Sequence, residues 1–503
     1  MIEQPLNGTQ LASKKTIDFL SSTHKLLIDG NDVLSAAGET LRTYDPALKI
    51  ALAEVPNAKA ADVDAAVTAA TSALHGSWQK MSPMDRSQIL LRLADLIERD
   101  TTWISEVESL DSGKPKHQIA AVDVRLAINA LRYYAGWCTK LAGETIPASS
   151  PELLVYTRRE PVGVVAAIVP WNFPLCQACF KIAPALAAGC TVILKPAEQT
   201  PLSALILGRL ALEAGLPPGV LNILTGDGAT TGQALVEHPG VAKITFTGSE
   251  RVGKHIARIA SATLKRVSLE LGGKNPHIIF ADGDVDTAAV TAAGAIFFYA
   301  GQVCSAGSRL MVEAKAFDRV VNQVVSEASK LKMGHGLHTE TTLGPLISED
   351  QLKRVSGFVE RSRDTGIEVV TGGRRGQGTF ASGSFYEPTV LTGAKDTDGV
   401  VSDEIFGPVL AIQTFESFDE LVKRANTTSY GLAAGIWTSD VAKAHAAAAA
   451  IQAGTVWINT YNQFDAAVGW GGFKQSGYGK DNGREGIEQY LQTKTVWVNY
   501  ARG

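Results

Sequence analysis

The sequence predicts an α/β fold in which a mostly parallel sheet, covered on both faces, is followed by a second α/β block. Short continuous apolar runs, the mark of fully buried strands, alternate with helical patterns of roughly 12 to 18 residues. At 503 residues the chain is too long for one core, so about two or three domains are expected. Ligands of such sheets collect at the C-terminal strand ends, where the candidate chemistry is sought.

Residues 1–25 are polar and lack a clear period, so an N-terminal arm is expected there and order from Leu26 onward. Apolar residues recur at helical spacing over Ala61–Trp78 and Met84–Asp100, where Ile89, Leu90, Leu93, Leu96 and Ile97 form one stripe. Val162–Val169, bracketed by Pro161 and Pro170, reads as a buried strand, followed by Thr191–Lys195, Leu221–Thr225 and Lys243–Thr247. The second block begins near Asp284 with a helix over 285–298, then strands around Ile367–Val370 and Leu410–Phe415. Ala444–Ala450 reads as helix. Leu153–Arg159 and Thr495–Tyr500 have the composition of edge strands and lie far apart in the chain, which leaves pairing across subunits open to them.

Composition narrows the function. Hydrophobic residues are 45% and charged residues 19%, the balance of a soluble globular chain. With 47 basic against 51 acidic residues the net charge is −4, and no sustained Lys/Arg run would neutralise a phosphate backbone, so no nucleic-acid partner is expected. No apolar stretch approaches the roughly 20 residues of a membrane span, and Met1–Leu20 lacks the apolar centre of a secretory signal. Five cysteines make no disulfide framework and fit a reducing cytoplasm.

Four motifs carry candidate chemistry. In Gly301-Gln-Val-Cys304-Ser-Ala-Gly-Ser-Arg309 a thiol stands among small turn residues whose N–H groups could stabilise a thiolate; an isolated cysteine is nonetheless more often an inert buried thiol. Cys176 and Cys179 form a CxxC with no second pair to complete a metal site, so structural thiols are the better reading and no metal is expected. Gly248-Ser-Glu-Arg-Val-Gly253-Lys254-His255 nearly matches a P-loop, but His255 replaces the magnesium-holding hydroxyl. A dinucleotide pyrophosphate at a helix N-terminus is therefore favoured over an ATPase, with a plain strand-to-helix turn as the alternative. Glu270, ending an apolar run and entering a glycine turn, could carry the raised pKa of a general base, or simply cap the turn.

Together these motifs resemble the aldehyde dehydrogenase superfamily from about residue 26 to the end. The match rests on Pro170-Trp-Asn-Phe-Pro174, Lys195-Pro-Ala-Glu198, Phe246-Thr-Gly-Ser249, Glu270-Leu-Gly-Gly-Lys-Asn-Pro276, Gly301-Gln-Val-Cys304, Glu404-Ile-Phe406-Gly-Pro408 and Gly471-Gly-Phe-Lys-Gln-Ser-Gly477, in that order. The resemblance implies a Rossmann-like NAD-binding domain (26–143 and 163–280), an α/β catalytic domain (281–479) and a small β oligomerisation flap (144–162 and 488–503) of a homodimer or homotetramer. It also implies that Cys304 attacks an aldehyde, Asn172 and the Cys304 N–H hold the oxyanion, Glu270 activates water, and Lys274 lies beside them. Lys195 and Glu198 would meet the adenosine ribose, the carboxylate favouring NAD over NADP. Val169, Trp171, Gly228, Gly232, Phe246 and Ser249 would line the rest of the dinucleotide, with Glu404 and Phe406 at its nicotinamide half. Phe173, Phe180, Phe298, Phe464 and Trp470 would wall the substrate tunnel, which points to aromatic or arylalkyl aldehydes such as phenylacetaldehyde. Core packing is the alternative for each ring.

Two positions depart from the pattern. Lys480-Asp481 stands where many relatives carry Arg-Glu, which puts a proton-relay role at Asp481 in doubt, and Val303 replaces a cysteine that some relatives have. Three rivals are disfavoured: a CoA-acylating enzyme by Glu270, a P-loop kinase by His255, and a non-enzymatic scaffold by the joint presence of Cys304, Asn172 and Glu270.

Overall fold

The structure, a computed structural model, describes residues 11–500. Its first sheet has the strand order Asn31–Val33, Leu26–Ile28, Leu221–Ile223, Thr191–Lys195, Val164–Ile168, Lys243–Thr247, Arg266–Glu270, Gly477–Tyr478. The five central strands are parallel and the two flanking pairings antiparallel. Buried runs such as Val164–Ile168 and Lys243–Thr247 form these strands because apolar and β-branched side chains can be packed on both faces. The chain progresses outward one way from Val164–Ile168 and then the other way from Lys243–Thr247. That reversal opens a crevice beyond the C-terminal ends of these two strands, at residues 169–172 and 248–249.

Helices fill both faces. Pro174–Ala188 starts with proline at its first turn and is buried along its whole length, a helix packed from every side. The first expected helical run, Ala61–Trp78, breaks at Gly76 into Ala60–His75 and Ser77–Lys80, whereas the second, Met84–Asp100, forms the single helix Pro83–Arg99, begun by a Ser82–Asp85 capping box. Among the described residues no helix is long and apolar enough to cross a membrane.

A second sheet runs Glu368–Thr371, Thr389–Thr392, Val409–Phe415, Arg309–Glu313, Pro276–Ile279, Ala433–Trp437, Thr455–Ile458, parallel except at Glu368–Thr371. Pro276–Ile279 falls in this sheet although the expected boundary lay at 280/281: the chain leaves the first sheet directly after Glu270 through Gly272 and Gly273. Gly477–Tyr478, expected with the catalytic block, instead pairs with Leu269 and Glu270 of the first sheet.

The two edge-like segments find each other within one chain. Leu153–Pro161 and Leu491–Asn499 pair antiparallel over nine residues, with Thr145–Ile146 as a third strand. Upstream of Leu26, where no period was expected, Lys14–Leu20 forms a helix. Ser13 Oγ accepts from Thr16 N, and Phe19 is buried against Trp103 at a ring separation of 5.6 Å. Residues 1–10 of the expected arm lie outside the described residues.

Candidate active site

Cys304 lies in the turn between the helix Val285–Phe297 and the strand Arg309–Glu313. The chain reverses there through Tyr299, Ala300 and Gly301, with φ of 50°, 53° and 71°. Only glycine suits the third position, since a Cβ would sit 2.1 Å from the Gly407 carbonyl oxygen. Asn275 Nδ2 donates to the carbonyls of Cys304 and Ala306 at 2.8 and 3.0 Å, and Tyr461 donates to that of Ser305 at 2.9 Å. The turn is thus pinned from both sides. Asn172 Nδ2 donates to the Gln302 carbonyl at 2.9 Å, which leaves its second amide hydrogen free for another acceptor.

Two cavities meet at this turn. One, of about 330 Å³, is lined by Phe173, Phe180, Phe298, Phe464 and Trp470, with Cys304. All five expected tunnel aromatics therefore face one space rather than the core alone. The other, of about 720 Å³, is lined by Trp171, Asn172, Ser249, Glu270, Glu404 and Phe406 among others, again with Cys304. Among the described residues, only Gln177 borders both besides Cys304.

Within the larger cavity, Ser249 begins the helix Glu250–Ala260, its hydroxyl accepting from Val252 N at 3.5 Å. Glu404 accepts from Gly273 N at 3.1 Å and occupies the space a Cβ on Gly272 would need. Phe406, at φ 61°, places its ring edge-on to Trp171 at 5.2 Å. Phe246 underlies the cavity wall, its ring directly beneath Gly248. Lys195, Glu198, Val169 and Gly232 form a separate group that does not line this cavity. Lys195 Nζ is 3.6 Å from Glu198, Val169 N donates to the Lys195 carbonyl at 3.1 Å, and the Gly232 backbone faces the Lys195 stem. Gly228 opens the neighbouring wide helical turn, Gly228–Gly232, with open space at its Cβ position. Lys274 lines neither large cavity; its Nζ is buried without a hydrogen-bond partner among the described residues.

Burial dominates the electrostatics. It pushes the Cys304 thiol up to about 12, with Glu404 and Glu270 adding to the effect against the N–H groups of Ser305 and Cys304. The N–H groups expected to favour a thiolate are thus present but outweighed. Glu270 is buried with neither carboxyl oxygen partnered among the described residues, and burial, then Asp481, raises its pKa well above the carboxylate range. Burial also raises Glu404 to about 7, against the Gly273 N–H, and lowers Lys274 to about 7, against Glu404. Cys176 borders the aromatic cavity and Cys179 the core, both thiols raised by burial.

Some participants were not found in the sequence. Asn275 lay inside a quoted motif, a polar residue in a glycine turn, yet its partners are 29 and 31 residues away. Tyr461 was hidden in a polar stretch, and Lys114, bonded to the Asn172 carbonyl at 2.8 Å, had no local signal. Asp481 pairs with buried Lys181 at 3.0 Å.

Comparison with known proteins agrees with this geometry. The sequence profile of the Aldehyde dehydrogenase family matches residues 33–496. A Bacillus subtilis protein named DhaS is 48% identical over 492 residues, covering 98% of this chain and 99% of the relative. Phenylacetaldehyde dehydrogenase of Pseudomonas fluorescens is 44% identical over 499 residues, covering 98% and 99%. The structure of an NAD+ complex of aldehyde dehydrogenase from Bacillus cereus superposes with a TM-score of 0.95 at 44% identity, covering 99% of this chain and 100% of that one.

Proposed function

The chain belongs to the aldehyde dehydrogenase family, and from that premise we propose that it oxidises an aromatic or arylalkyl aldehyde with NAD, phenylacetaldehyde to phenylacetate being the type case. The observation that carries this reading is the position of Cys304 at the junction of an aromatic-walled cavity and a polar one.

The polar side fits a dinucleotide. A volume of about 720 Å³ opens at the first turn of the helix Glu250–Ala260, whose free N–H groups would receive a pyrophosphate beside Ser249. Val169, Gly228, Gly232 and Phe246 would frame the adenine half, Trp171 the pyrophosphate, and Lys195 with Glu198 the ribose. A carboxylate at Glu198 accepts from a 2′-hydroxyl and repels a 2′-phosphate, which favours NAD over NADP. Glu404 and Phe406 would fix the nicotinamide half. When bound, NAD supplies the hydride acceptor that takes the group on Cys304 from the aldehyde to the acid level of oxidation.

The chain's own residues do the rest. Phe173, Phe180, Phe298, Phe464 and Trp470 hold the apolar body of the aldehyde. The Cys304 thiol gives up its proton to water, the thiolate sulfur adds to the carbonyl carbon, and the displaced π-pair becomes an oxyanion, which receives hydrogen bonds from Asn172 Nδ2 and the Cys304 N–H. After oxidation the acyl group remains on sulfur. Glu270 takes a proton from water as its oxygen adds to the acyl carbon, and the thiolate leaves to free the carboxylic acid. Lys274, a neighbour of Glu404 in charge though not in contact with the cavity, biases that carboxylate.

The exposed Trp497 on the small three-stranded sheet and Tyr500 just past its last strand support a homodimer or homotetramer, and five free cysteines support a cytoplasmic setting. The test is a kcat/KM panel of phenylacetaldehyde, benzaldehyde, hexanal and betaine aldehyde with NAD and NADP, run also on Cys304→Ala. The aromatic aldehydes with NAD are expected to lead, and Cys304→Ala to form no NADH while binding NAD within about threefold of the parent. Preference for betaine aldehyde, or turnover by Cys304→Ala, overturns the reading.

A further inference from the structure

Behind the site lies a buried ammonium that borders neither large cavity. Lys114 Nζ donates to the Asn172 carbonyl at 2.8 Å, to Glu108 at 3.3 Å and to Asp123. Glu108 also accepts the Leu175 N–H at 3.1 Å, and Asp123 accepts the Tyr299 hydroxyl at 2.7 Å. The rings of Phe173 and Tyr299 lie against the ammonium, with centroids at 4.8 and 4.6 Å. Burial opposes the charge on Lys114, but Asp123 and Glu108 outweigh it and hold the group above the usual lysine value.

Followed bond by bond, these contacts close a circuit. Asn172 Nδ2 donates to the Gln302 carbonyl at 2.9 Å, and Gln302 Nε2 donates to the Tyr299 carbonyl at 3.2 Å. The Tyr299 hydroxyl reaches Asp123, and Lys114 returns from Asp123 to the Asn172 backbone. The circuit ties the segment after the strand Val164–Ile168 to the left-handed turn before Cys304. The first stretch leaves a strand of the first sheet and the second leaves the helix Val285–Phe297 and leads into the second sheet, so the circuit fixes their spacing alongside the Asn275 and Tyr461 bonds that pin the cysteine turn.

We infer that Lys114, Asp123 and Tyr299 are positioning residues: they hold the Asn172 carboxamide where the oxyanion forms beside Cys304. The inference rests on the reading of Asn172 as oxyanion donor and Cys304 as nucleophile. An oxyanion donor works only if it is already aimed at the developing charge, and a shift of about 1 Å can cost roughly 100-fold in rate. A buried charge cluster that merely stabilised the fold would change thermal unfolding without being coupled to Asn172.

The test is a double-mutant cycle on the holoenzyme with phenylacetaldehyde. Tyr299→Phe keeps the ring and removes only the hydroxyl; Lys114→Met removes the donor to the Asn172 carbonyl and is the second arm if the first fails to fold. Each is expected to slow the pre-steady-state NADH burst roughly 10-fold, with NAD affinity within about twofold. In an Asn172→Ala background each is expected to cost less than about twofold more, because the group it positions is gone. Fully additive losses, or an unchanged burst in the single variants, overturn the inference alone. An Asn172→Ala enzyme with an intact burst overturns the oxyanion reading and the inference with it.

Discussion

The titratable residues of the site are held in forms that water would not favour, and this has measurable consequences. Glu270 is fully buried and its pKa is raised above 4.5, so its carboxylate destabilises the fold as pH rises past the unfolded value. Glu270→Gln is therefore expected to melt higher than the parent at pH 7, the difference fading toward pH 4. The same variant is expected to keep an NADH burst while steady turnover collapses, since acylation precedes hydrolysis; stopped-flow absorbance checks this, and a lost burst would place Glu270 earlier in the cycle. With its thiol pushed up to about 12, Cys304 carries about 10⁻⁵ thiolate at neutral pH. Alkylation of the cofactor-free enzyme by iodoacetamide at this residue, followed by mass spectrometry, is expected to speed up about tenfold per pH unit between about pH 7 and 9.5. A plateau below pH 9 would show that the resting thiol is activated.

At the scale of elements, the left-handed turn at 299–301 couples catalysis to the contact with residues 407–408. Gly301→Ala is expected to lose more than about 100-fold in kcat/KM, since its methyl would meet the Gly407 carbonyl at 2.1 Å and displace the cysteine turn. A variant with parental kinetics would mean the turn can shift freely. Elements were also where the sequence was most legible. Thr191–Lys195 and Lys243–Thr247 emerge with the expected bounds because short runs of β-branched and apolar residues between turns mark a buried parallel strand. Pro276–Ile279 looked like the tail of the first block because its apolar run carries no information about which sheet receives it. The site divided along similar lines: Cys304, Asn172 and Glu270 stood in recognisable motifs. Lys114 did not, because its partners Glu108, Asp123 and Asn172 lie 6, 9 and 58 residues away, and a buried charge is written with the same letter as a solvated one.

For the whole molecule, the small sheet of Thr145–Ile146, Leu153–Pro161 and Leu491–Asn499 exposes large apolar side chains along its last strand. Trp497 is 64% exposed and Tyr500 60%. Under the proposed assembly, Trp497→Glu is expected to shift the particle toward the monomer in analytical ultracentrifugation, with the catalytic residues of each chain untouched. An unchanged sedimentation profile would move the interface elsewhere. The meeting of the two cavities at Cys304 also bears on the order of events. Glu270 borders the polar cavity and not the aromatic one. In the proposed cycle the hydrolytic water thus approaches the acyl group from the side assigned to the dinucleotide, while the acyl chain stays in its own chamber. A single volume then serves two guests in turn, and the nicotinamide end must make room before water can take its place.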